Sequence, residues 1–315
     1  MHREDLANSL NCNLLRTYVR VVELGSITRA AESLYLAQSA VSSHVAALAS
    51  FAGGALFERR DGRLVPTPLG NELYDGGLEI LAYVNDLDRR LQRMASQNAR
   101  IVNVACTRTV CEVAVANVVA SFQRERPEFR LSVASATIKE AEVRLRSGEI
   151  DVALTEGMNT VAGTKRIAFR SDRLVLAVPR GHDLAKRGSV TMAEASAYPF
   201  ILRTRSSGMR NFIEERMGRS FDQLTIVLEL EGNSEIISCV ESGLGIALIS
   251  QGAIVRARAL GTVLALDVDD IDFDRDFYVA LSDDREPSQA TATFVHWLTD
   301  TYRQAHAEMI SAVAG

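Results

Sequence analysis

The hydrophobic positions in the first 66 residues follow the period of short amphipathic helices. Leu14, Tyr18, Val21 and Val22 share one face of a helix, and Gly25-Ser26 is typical of a helix end. The next segment, TRAAESL, predicts a second helix that Thr28 caps. A short break over residues 35–37 then separates it from a third helical pattern.

The third helix is predicted from about Gln38 to Ser50, because Val41, Val45 and Leu48 repeat at helical spacing. Its opposite face carries small and hydrogen-bonding residues: Gln38, Ser39, Ser42, Ser43 and Ala46, with His44 near the edge. Such a face can approach the base edges in the major groove of duplex DNA. The alternative interpretation is an ordinary solvated face on a small helical domain.

A hairpin is predicted after the third helix, in the segment ALFERRDGRLVP around Asp61-Gly62. Its arginines, Arg59, Arg60 and Arg63, suit contacts with phosphate groups. Helix, turn, helix and hairpin in this order predict a winged helix-turn-helix domain over residues 1–66.

Residues 67–96 predict one long helix, with Thr67 as its cap and Pro68 at its first position. Its apolar residues advance by alternating steps of four and three, as in a coiled coil: Leu73, Ile80, Val84, Leu87, Leu91 and Met94, with Gly77 in the same seam. A single helix cannot bury such a stripe, so we expect dimerisation through it. Packing of the stripe on its own domain is the alternative.

From residue 100 onward, apolar strand patterns alternate with helical ones, which is typical of α/β domains with parallel-type sheets and helices on both faces. The segment from residue 100 to the end of the sequence is long for a single sheet, so we expect two lobes with a ligand-binding cleft where the chain crosses between them. We expect lobe one at about 100–169 and 271–315 and lobe two at about 170–270, with crossovers near Arg170 and Asp270.

Composition excludes several other classes of protein. Hydrophobic residues make up 47% and charged residues 24% of the 315 residues, and the net charge of −5 leaves room only for a local DNA-binding face. No apolar run is long enough for a membrane span, and the N-terminus has no signal-peptide pattern, so we expect a cytoplasmic protein. No metal-ligand spacing is present among the four cysteines and five histidines, and we expect neither metal nor cofactor.

Several ordered motifs make the chain similar to the LysR-type transcriptional regulators. In the N-terminal part they are G-S-x-T-x-A-A-x-x-L from Gly25, Q-x-A-V-S from Gln38, G-x-x-L-F-E-R from Gly53 and T-P-x-G from Thr67. In the remainder they are F-x-x-x-x-P from Phe122, G-E-I-D-V-A-L from Gly148 and S-G-L-G-I-A-L from Ser242. The resemblance covers nearly the whole chain.

The resemblance implies a winged helix-turn-helix, a coiled-coil linker helix and a two-lobed effector domain like that of periplasmic binding proteins. It also implies homodimers that assemble to homotetramers, binding to double-stranded DNA at interrupted palindromes, and contact with RNA polymerase. Thr28 and Arg29 join the third helix and the wing as expected DNA-binding residues. The chain departs from the family in having no Lys or Arg between Arg29 and Arg59, which predicts a shallow salt dependence of DNA binding.

The resemblance further implies an effector site formed by two hydroxyl-rich turns. Its expected members are Thr107, Arg108, Thr109, Thr204, Arg205, Ser206 and Ser207, with Ser135 and Thr137 at the rim. Helix starts and nearby arginines, among them Arg203 and Arg210, favour an anionic effector, possibly a carboxylate. Plain helix capping and solvated arginines are the alternative.

Three other function classes fit less well. The motifs of hydrolases, zinc proteases, P-loop proteins and dinucleotide-binding enzymes are absent, so we expect no enzyme. A solute-binding protein would lack the DNA-binding head. A redox-responsive regulator would use Cys106 and Cys111, which needs a Cα separation below about 7 Å.

Overall fold

The computed structural model describes residues 10–60, 63–95, 100–156 and 163–313, and the chain divides into two compact units. The first unit comprises Met1–Gln97 with Val143–Glu149, and the second comprises Asn98–Glu142 with Ile150–Gly315. The hairpin tip expected at Asp61-Gly62 lies outside the described residues.

The first unit contains three short helices, a hairpin and a long helix. Their bounds are α1 Cys12–Leu24, α2 Ile27–Leu34, α3 Gln38–Ala52, β1 Phe57–Arg60, β2 Arg63–Pro66 and α4 Pro68–Ala95. The two strands pair antiparallel, with Phe57 opposite Pro66 and Arg60 opposite Arg63. This order is that of a winged helix-turn-helix followed by a linker helix, as the sequence predicts.

Capping residues explain where these helices begin and end. Gly25 ends α1 in the left-handed conformation, with φ of 58°. The cap of α2 is Ser26, whose hydroxyl accepts a hydrogen bond from the Arg29 amide at 3.3 Å. The prediction that Thr28 caps α2 is therefore wrong: the helix starts at Ile27, and Thr28 already lies within its first turn.

A shared core joins α1, α3, the hairpin and α4 within the first unit. Leu15, Tyr18, Leu48 and Leu78 are fully or almost fully buried in it. The Tyr18 hydroxyl donates a hydrogen bond to the Gly70 carbonyl at 2.9 Å, and burial raises the pKa of Tyr18. The start of α4 is thus fixed to the helical head through α1.

The second unit alternates strands and helices. Its strands are β3 Arg100–Cys106, β4 Phe129–Ser135, β5 Val152–Glu156, β6 Thr164–Pro179, β7 Ser189–Val190, β8 Pro199–Arg203, β9 Thr225–Leu230, β10 Ala247–Ser250, β11 Val263–Val268 and β12 Asp274–Ser282. Its α-helices are α5 Arg108–Val110, α6 Ala116–Glu125, α7 Ile138–Arg146, α8 Met192–Ala195, α9 Gly208–Met217, α10 Asn233–Glu241, α11 Val255–Leu260 and α12 Gln289–Val313. The residues of α7 from Val143 onward are counted with the first unit. A π-helical turn, Cys111–Val115, joins α5 to α6, and 3-10 turns occupy Asp183–Lys186 and Gly218–Gln223.

The sheets of this unit are mixed, which corrects the expectation of parallel-type sheets. Strands β3, β4 and β5 are parallel neighbours, and so are β8 and β9. In contrast, β12 pairs antiparallel with β5 and β6, and β10 and β11 pair antiparallel with β6. Apolar runs reveal buried strands but not their direction, so the sequence pattern could not distinguish these pairings.

Two separate hydrophobic cores define the two lobes, and β6 contributes to both. Phe169 belongs to the core with Phe122 and Phe294, whereas Leu174, five residues later, belongs to the core with Phe200. The chain returns between Phe273, in the second core, and Phe277, in the first. Next to this crossing, Arg275 and Asp172 form a buried ion pair at 2.8 Å.

No helix among the described residues is long and apolar enough to cross a membrane.

Candidate functional site

The first candidate site is the outer face of α3. Val41 and Leu48 are buried, whereas Gln38, Ser39, Ser42 and Ser43 are exposed. No side-chain hydrogen bond caps the start of this helix. The face therefore presents hydroxyls and an amide to solvent, in the arrangement that base-edge contacts require.

His44 differs from its neighbours on α3. Its ring is half-buried, and Nδ1 lies 2.9 Å from the hydroxyl oxygen of the buried Thr17 on α1. This contact joins α3 to α1. His44 therefore packs between the two helices, at the margin of the exposed face.

The flanking residues lie as follows. Thr28 is exposed, and the Arg29 guanidinium donates to the Leu24 carbonyl at the end of α1. On the hairpin, Arg59 is exposed, and Arg60 forms an ion pair with Glu58 at 2.6 Å. The side chain of Arg63 lies outside the described residues.

The expected seam of α4 has two kinds of environment. Leu73 packs against the core of the first unit, and Gly77 lies close to Leu15 of α1. Further along, Ile80, Leu87 and Leu91 are 41%, 50% and 56% exposed, and Val84 is half-buried. Met94 lies on the helix, but its side chain is outside the described residues. Ile80, Leu87 and Leu91 thus form an exposed apolar stripe on α4 in the single chain.

A second candidate site is a cavity of about 250 Å³ where strand ends of both lobes meet; we call it the Arg203 cavity. Its lining is mixed polar and apolar and comes from the ends of β3, β4, β5, β8 and β9 and the starts of α7 and α9: Thr107, Arg108, Ser135, Ala136, Thr137, Ile138, Glu140, Glu156, Arg203, Thr204, Ser206, Ser207, Gly208 and Glu231. Seven of the nine residues expected at an effector site line it.

The other two expected residues lie elsewhere. Thr109 is fully buried behind the Arg203 cavity, where its hydroxyl lies 3.4 Å from Arg203 Nη1 and also hydrogen-bonds Glu156. Arg205 lines a different cavity on lobe two, together with Arg210, Glu214 and Phe221. Thr204 and Ser206, the neighbours of Arg205 in the turn, line the Arg203 cavity. The Arg205 side chain between them lies on the opposite side of the turn, at the other cavity.

Arg210 is also directed away from the Arg203 cavity. It is 1% exposed and forms ion pairs with Glu214 at 2.6 Å and Glu229 at 2.9 Å. Its charge is therefore compensated within lobe two, which corrects the expectation that it adds positive charge at the effector site.

Arg203 is the central cation of the cavity that bears its name. It is 4% exposed, and burial lowers its pKa. Its Nη1 donates to the Thr109 hydroxyl and, at 3.3 Å, to the Asn233 side-chain oxygen. Among the described residues, Arg203 Nε and Asn233 Nδ2 are buried without a hydrogen-bond partner. These two buried donors are therefore left without an acceptor next to the cavity. Unsatisfied buried donors cost free energy unless a ligand or a water molecule accepts hydrogen bonds from them.

Glu156 supplies an acid to the same cavity. It is 2% exposed and accepts a hydrogen bond from the Thr107 hydroxyl. Burial raises the pKa of Glu156, although Arg275 and Arg203 act in the opposite direction. Gly208 lies close by, since a Cβ at that position would stand 3.4 Å from the Glu156 carboxyl oxygen.

The remaining acids of the cavity are already engaged. Arg108 lies 3.7 Å from Glu231 in an ion pair, and Glu140 accepts from the Thr137 amide at 2.9 Å. Sequence reasoning missed Glu140, Glu156, Glu231 and Asn233. The one available signal was Glu156 itself, a carboxylate that directly follows the apolar strand segment IDVALT.

Cys106 and Cys111 lie on either side of the Thr107 turn and are joined by a disulfide, with a Cα separation of 5.7 Å. Cys12 and Cys239 are free. Among the described residues, no group of three or more His, Cys, Asp or Glu side chains is arranged to hold a metal ion.

Comparison with known proteins gives matches along both units. A family model described as "Bacterial regulatory helix-turn-helix protein, lysR family" matches residues 12–71, and one described as "LysR substrate binding domain" matches residues 95–303. A probable RuBisCO transcriptional regulator from Porphyra purpurea is 25% identical over 89% of this chain and 90% of that relative.

Two solved structures resemble the second unit. The regulatory domain of CcmR from Synechocystis PCC6803, in complex with 2-PG, aligns with a TM-score of 0.59 and 23% identity, covering 64% of this chain and 97% of that one. The effector binding domain of QuiR, in complex with shikimate, aligns with a TM-score of 0.59 and 19% identity, covering 65% of this chain and 97% of that one.

Proposed function

Since the chain belongs to the LysR family of transcriptional regulators, we propose that it is a DNA-binding regulator switched by a small anion in the Arg203 cavity. The main support for an anionic ligand is Arg203. It is a buried cation whose Nε and whose neighbour Asn233 Nδ2 have no acceptor among the described residues.

The charge distribution of the cavity supports an anion over a cation. Arg108 and Glu231 compensate each other, and Glu140 is held by the Thr137 turn. Burial favours the neutral form of Glu156. Glu112, Glu156 and Glu235 raise the pKa of Arg203, but burial lowers it more. The positive charge of Arg203 is therefore the one that a bound anion would compensate.

The hydroxyl-rich walls and the size of the cavity narrow the ligand further. Thr107, Thr204, Ser206 and Ser207 offer hydroxyls, and the start of α9 adds backbone N–H groups, of which Met209 N–H already donates to Ser207; both kinds of donor favour carboxylate or phosphate oxygens. A volume of about 250 Å³ fits a small metabolite. The ligands named for the two similar structures, 2-PG and shikimate, are small anions as well.

For DNA recognition, we propose that the exposed face of α3 enters the major groove and that Gln38, Ser39, Ser42 and Ser43 read base edges, with His44 at the margin. Thr28, Arg29 and the hairpin arginines Arg59, Arg60 and Arg63 would contact phosphates. Direct support comes from the exposure of the four polar residues on α3.

Assembly through α4 completes this proposal. The exposed stripe of Ile80, Leu87 and Leu91, with Val84 and Met94 in register, suits pairing with a second copy of the chain. Homodimers would combine into homotetramers on an interrupted palindrome in the cytoplasm, where RNA polymerase is available. We propose no catalytic activity and no cofactor.

Titration calorimetry on the full chain tests the anion site. The panel consists of shikimate and other small carboxylates, small phosphate esters and their neutral ester or alcohol analogues. We expect binding by anions alone. In Arg203→Met, loss of a charge-assisted contact worth about 1.5–3 kcal/mol weakens binding by roughly 10- to 150-fold.

Arg205→Met is the matched control, because Arg205 lies two residues away in the same turn but lines the other cavity. Its affinity for the anion should equal that of the wild type. Equal binding of neutral analogues, or equal loss in both variants, would contradict the proposal.

A further inference from the structure

We propose that Cys106 and Cys111 form a redox modification site that responds to peroxides by closing a disulfide around the turn that lines the Arg203 cavity. Chemically, the pair is a dithiol that peroxide oxidises and a cellular dithiol reduces again. The modification stands on the geometry of the two cysteines, and only its effect on the ligand rests on the proposed function.

The backbone already holds the two cysteines at bonding distance. Their Cα atoms are 5.7 Å apart, within the range that disulfides occupy. Cys106 is the last residue of β3 and is fixed in register between β4 and β5, opposite Ser135 and Leu154. Cys111 begins the π-helical turn, and its amide donates to the Thr107 carbonyl at 2.9 Å. Neither side has to move for the bond to form.

The two cysteine residues differ in exposure. Cys106 is completely buried, whereas Cys111 is half-buried. Cys111 is therefore the thiol that a small oxidant reaches, and Cys106 is the thiol that resolves the product.

The reaction balances with hydrogen peroxide as the oxidant. The Cys111 thiolate attacks one peroxide oxygen, the O–O bond breaks, and sulfenic acid and one water form after proton transfer. The Cys106 thiol then attacks the Cys111 sulfur, the S–O bond breaks, and the second water leaves. Two thiols and one peroxide thus give one disulfide and two waters. A dithiol reverses the step by exchange and becomes a disulfide itself.

The fold does not depend on the bond. The ring that it closes is short, and short rings gain little from restriction of the unfolded chain. Hydrogen bonds of β3 and packing of Val104 and Val110 hold the same segment in place. The reduced chain is therefore folded, which reversibility requires.

The disulfide would change the mobility of one wall of the Arg203 cavity. The ring encloses Thr107 and Arg108, which line the Arg203 cavity, and Thr109, which accepts from Arg203. A π-helical turn, a feature common at functional sites, begins at Cys111. Closing the ring restricts the turn that carries three of the residues around Arg203.

The test uses full-length Cys12→Ser/Cys239→Ser, which removes the two free cysteines and keeps the pair. The reduced protein is treated with hydrogen peroxide, then unfolded in guanidinium chloride so that the buried Cys106 becomes accessible, and then treated with an alkylating reagent. We expect a mass loss of about 2 Da, protection of both thiols from alkylation, and full recovery with dithiothreitol.

A control variant without the cysteine pair tests whether the effects of peroxide require Cys106 and Cys111. Cys106→Ser/Cys111→Ser should show neither the mass loss nor protection, with an unchanged circular dichroism spectrum. Hydrogen exchange at amides 107–111 should slow by about tenfold on oxidation in the protein that keeps the pair, and not at all in this double variant. These readouts use no ligand, so their result is independent of the anion site.

Two results would overturn the inference. One is that Cys106 and Cys111 remain open to alkylation after peroxide while Cys239 is modified in the wild type. The other is that peroxide converts Cys111 to sulfinic acid without closing the ring.

Discussion

Glu156 is a carboxyl group in surroundings that disfavour its charged form. It is buried at the end of β5, where Thr107 donates to it and where Arg203 and Arg275 supply positive charge. The cost of burial outweighs these partners, so the pKa of Glu156 lies above its ordinary value of 4.5. The folded chain therefore holds this proton to a higher pH than the unfolded chain does.

This proton makes the stability of the second unit depend on pH. Since the folded state binds the proton more tightly, its contribution is complete below the ordinary pKa and is lost as the pH rises through the raised pKa. We expect Glu156→Gln to remove this loss, because the amide is neutral at every pH. Each tenfold difference in proton affinity is worth about 1.4 kcal/mol.

Urea unfolding across the acidic to neutral range measures the effect. The free energy of unfolding of the wild type should fall relative to Glu156→Gln as the pH rises. Glu231→Gln, which changes an exposed glutamate at the same cavity, should follow the wild type. Parallel curves for the wild type and Glu156→Gln would refute the argument.

At the scale of elements, α4 depends on one glycine for its contact with the helical head. A Cβ on Gly70 would overlap the Leu56 carbonyl oxygen and stand 2.7 Å from the Tyr18 hydroxyl oxygen. The same close approach permits the hydrogen bond from Tyr18 to the Gly70 carbonyl. Only glycine allows the first turn of α4 to sit this near to α1 and the hairpin.

We expect Gly70→Ala to destabilise the first unit by about 1–3 kcal/mol, as overpacking does in other cores. Gly76→Ala is the control on the same helix, since a Cβ there meets nothing within 4 Å. It should be neutral or stabilising by about 0.5–1 kcal/mol, because alanine is the better helix former. Thermal unfolding of both variants measures the difference. A Gly70→Ala variant as stable as Gly76→Ala would contradict the argument, because it would show that the structure relieves the clash.

At the scale of the whole molecule, sequence periodicity predicted the order of elements but not how distant segments meet. Gly25 and Thr67 mark helix boundaries through local chemistry, so they were readable in the chain. Glu156, Arg203 and Asn233 come together only when β5 of lobe one meets β8 and α10 of lobe two, and no local sequence pattern encodes that contact. The opposite directions of Thr204 and Arg205 likewise depend on a turn that the apolar pattern does not specify.

The same limit applies to the crossing between the lobes. The antiparallel register of β12 against β6 sets Arg275 beside Asp172, and the Ser250 hydroxyl donates to Asp172 at 2.6 Å. These partners are separated by roughly 80 to 100 positions in the chain. Their pairing is a property of the assembled sheet.

If α3 reads DNA sequence, footprinting of the full chain on the DNA upstream of its own coding region should show protection of an interrupted palindrome. Gln38→Ala should change the sequence preference, whereas Arg59→Ala should weaken binding to specific and random duplexes alike. Absence of any footprint, or an equal loss on specific and random duplexes for Gln38→Ala, would show that α3 does not read the sequence.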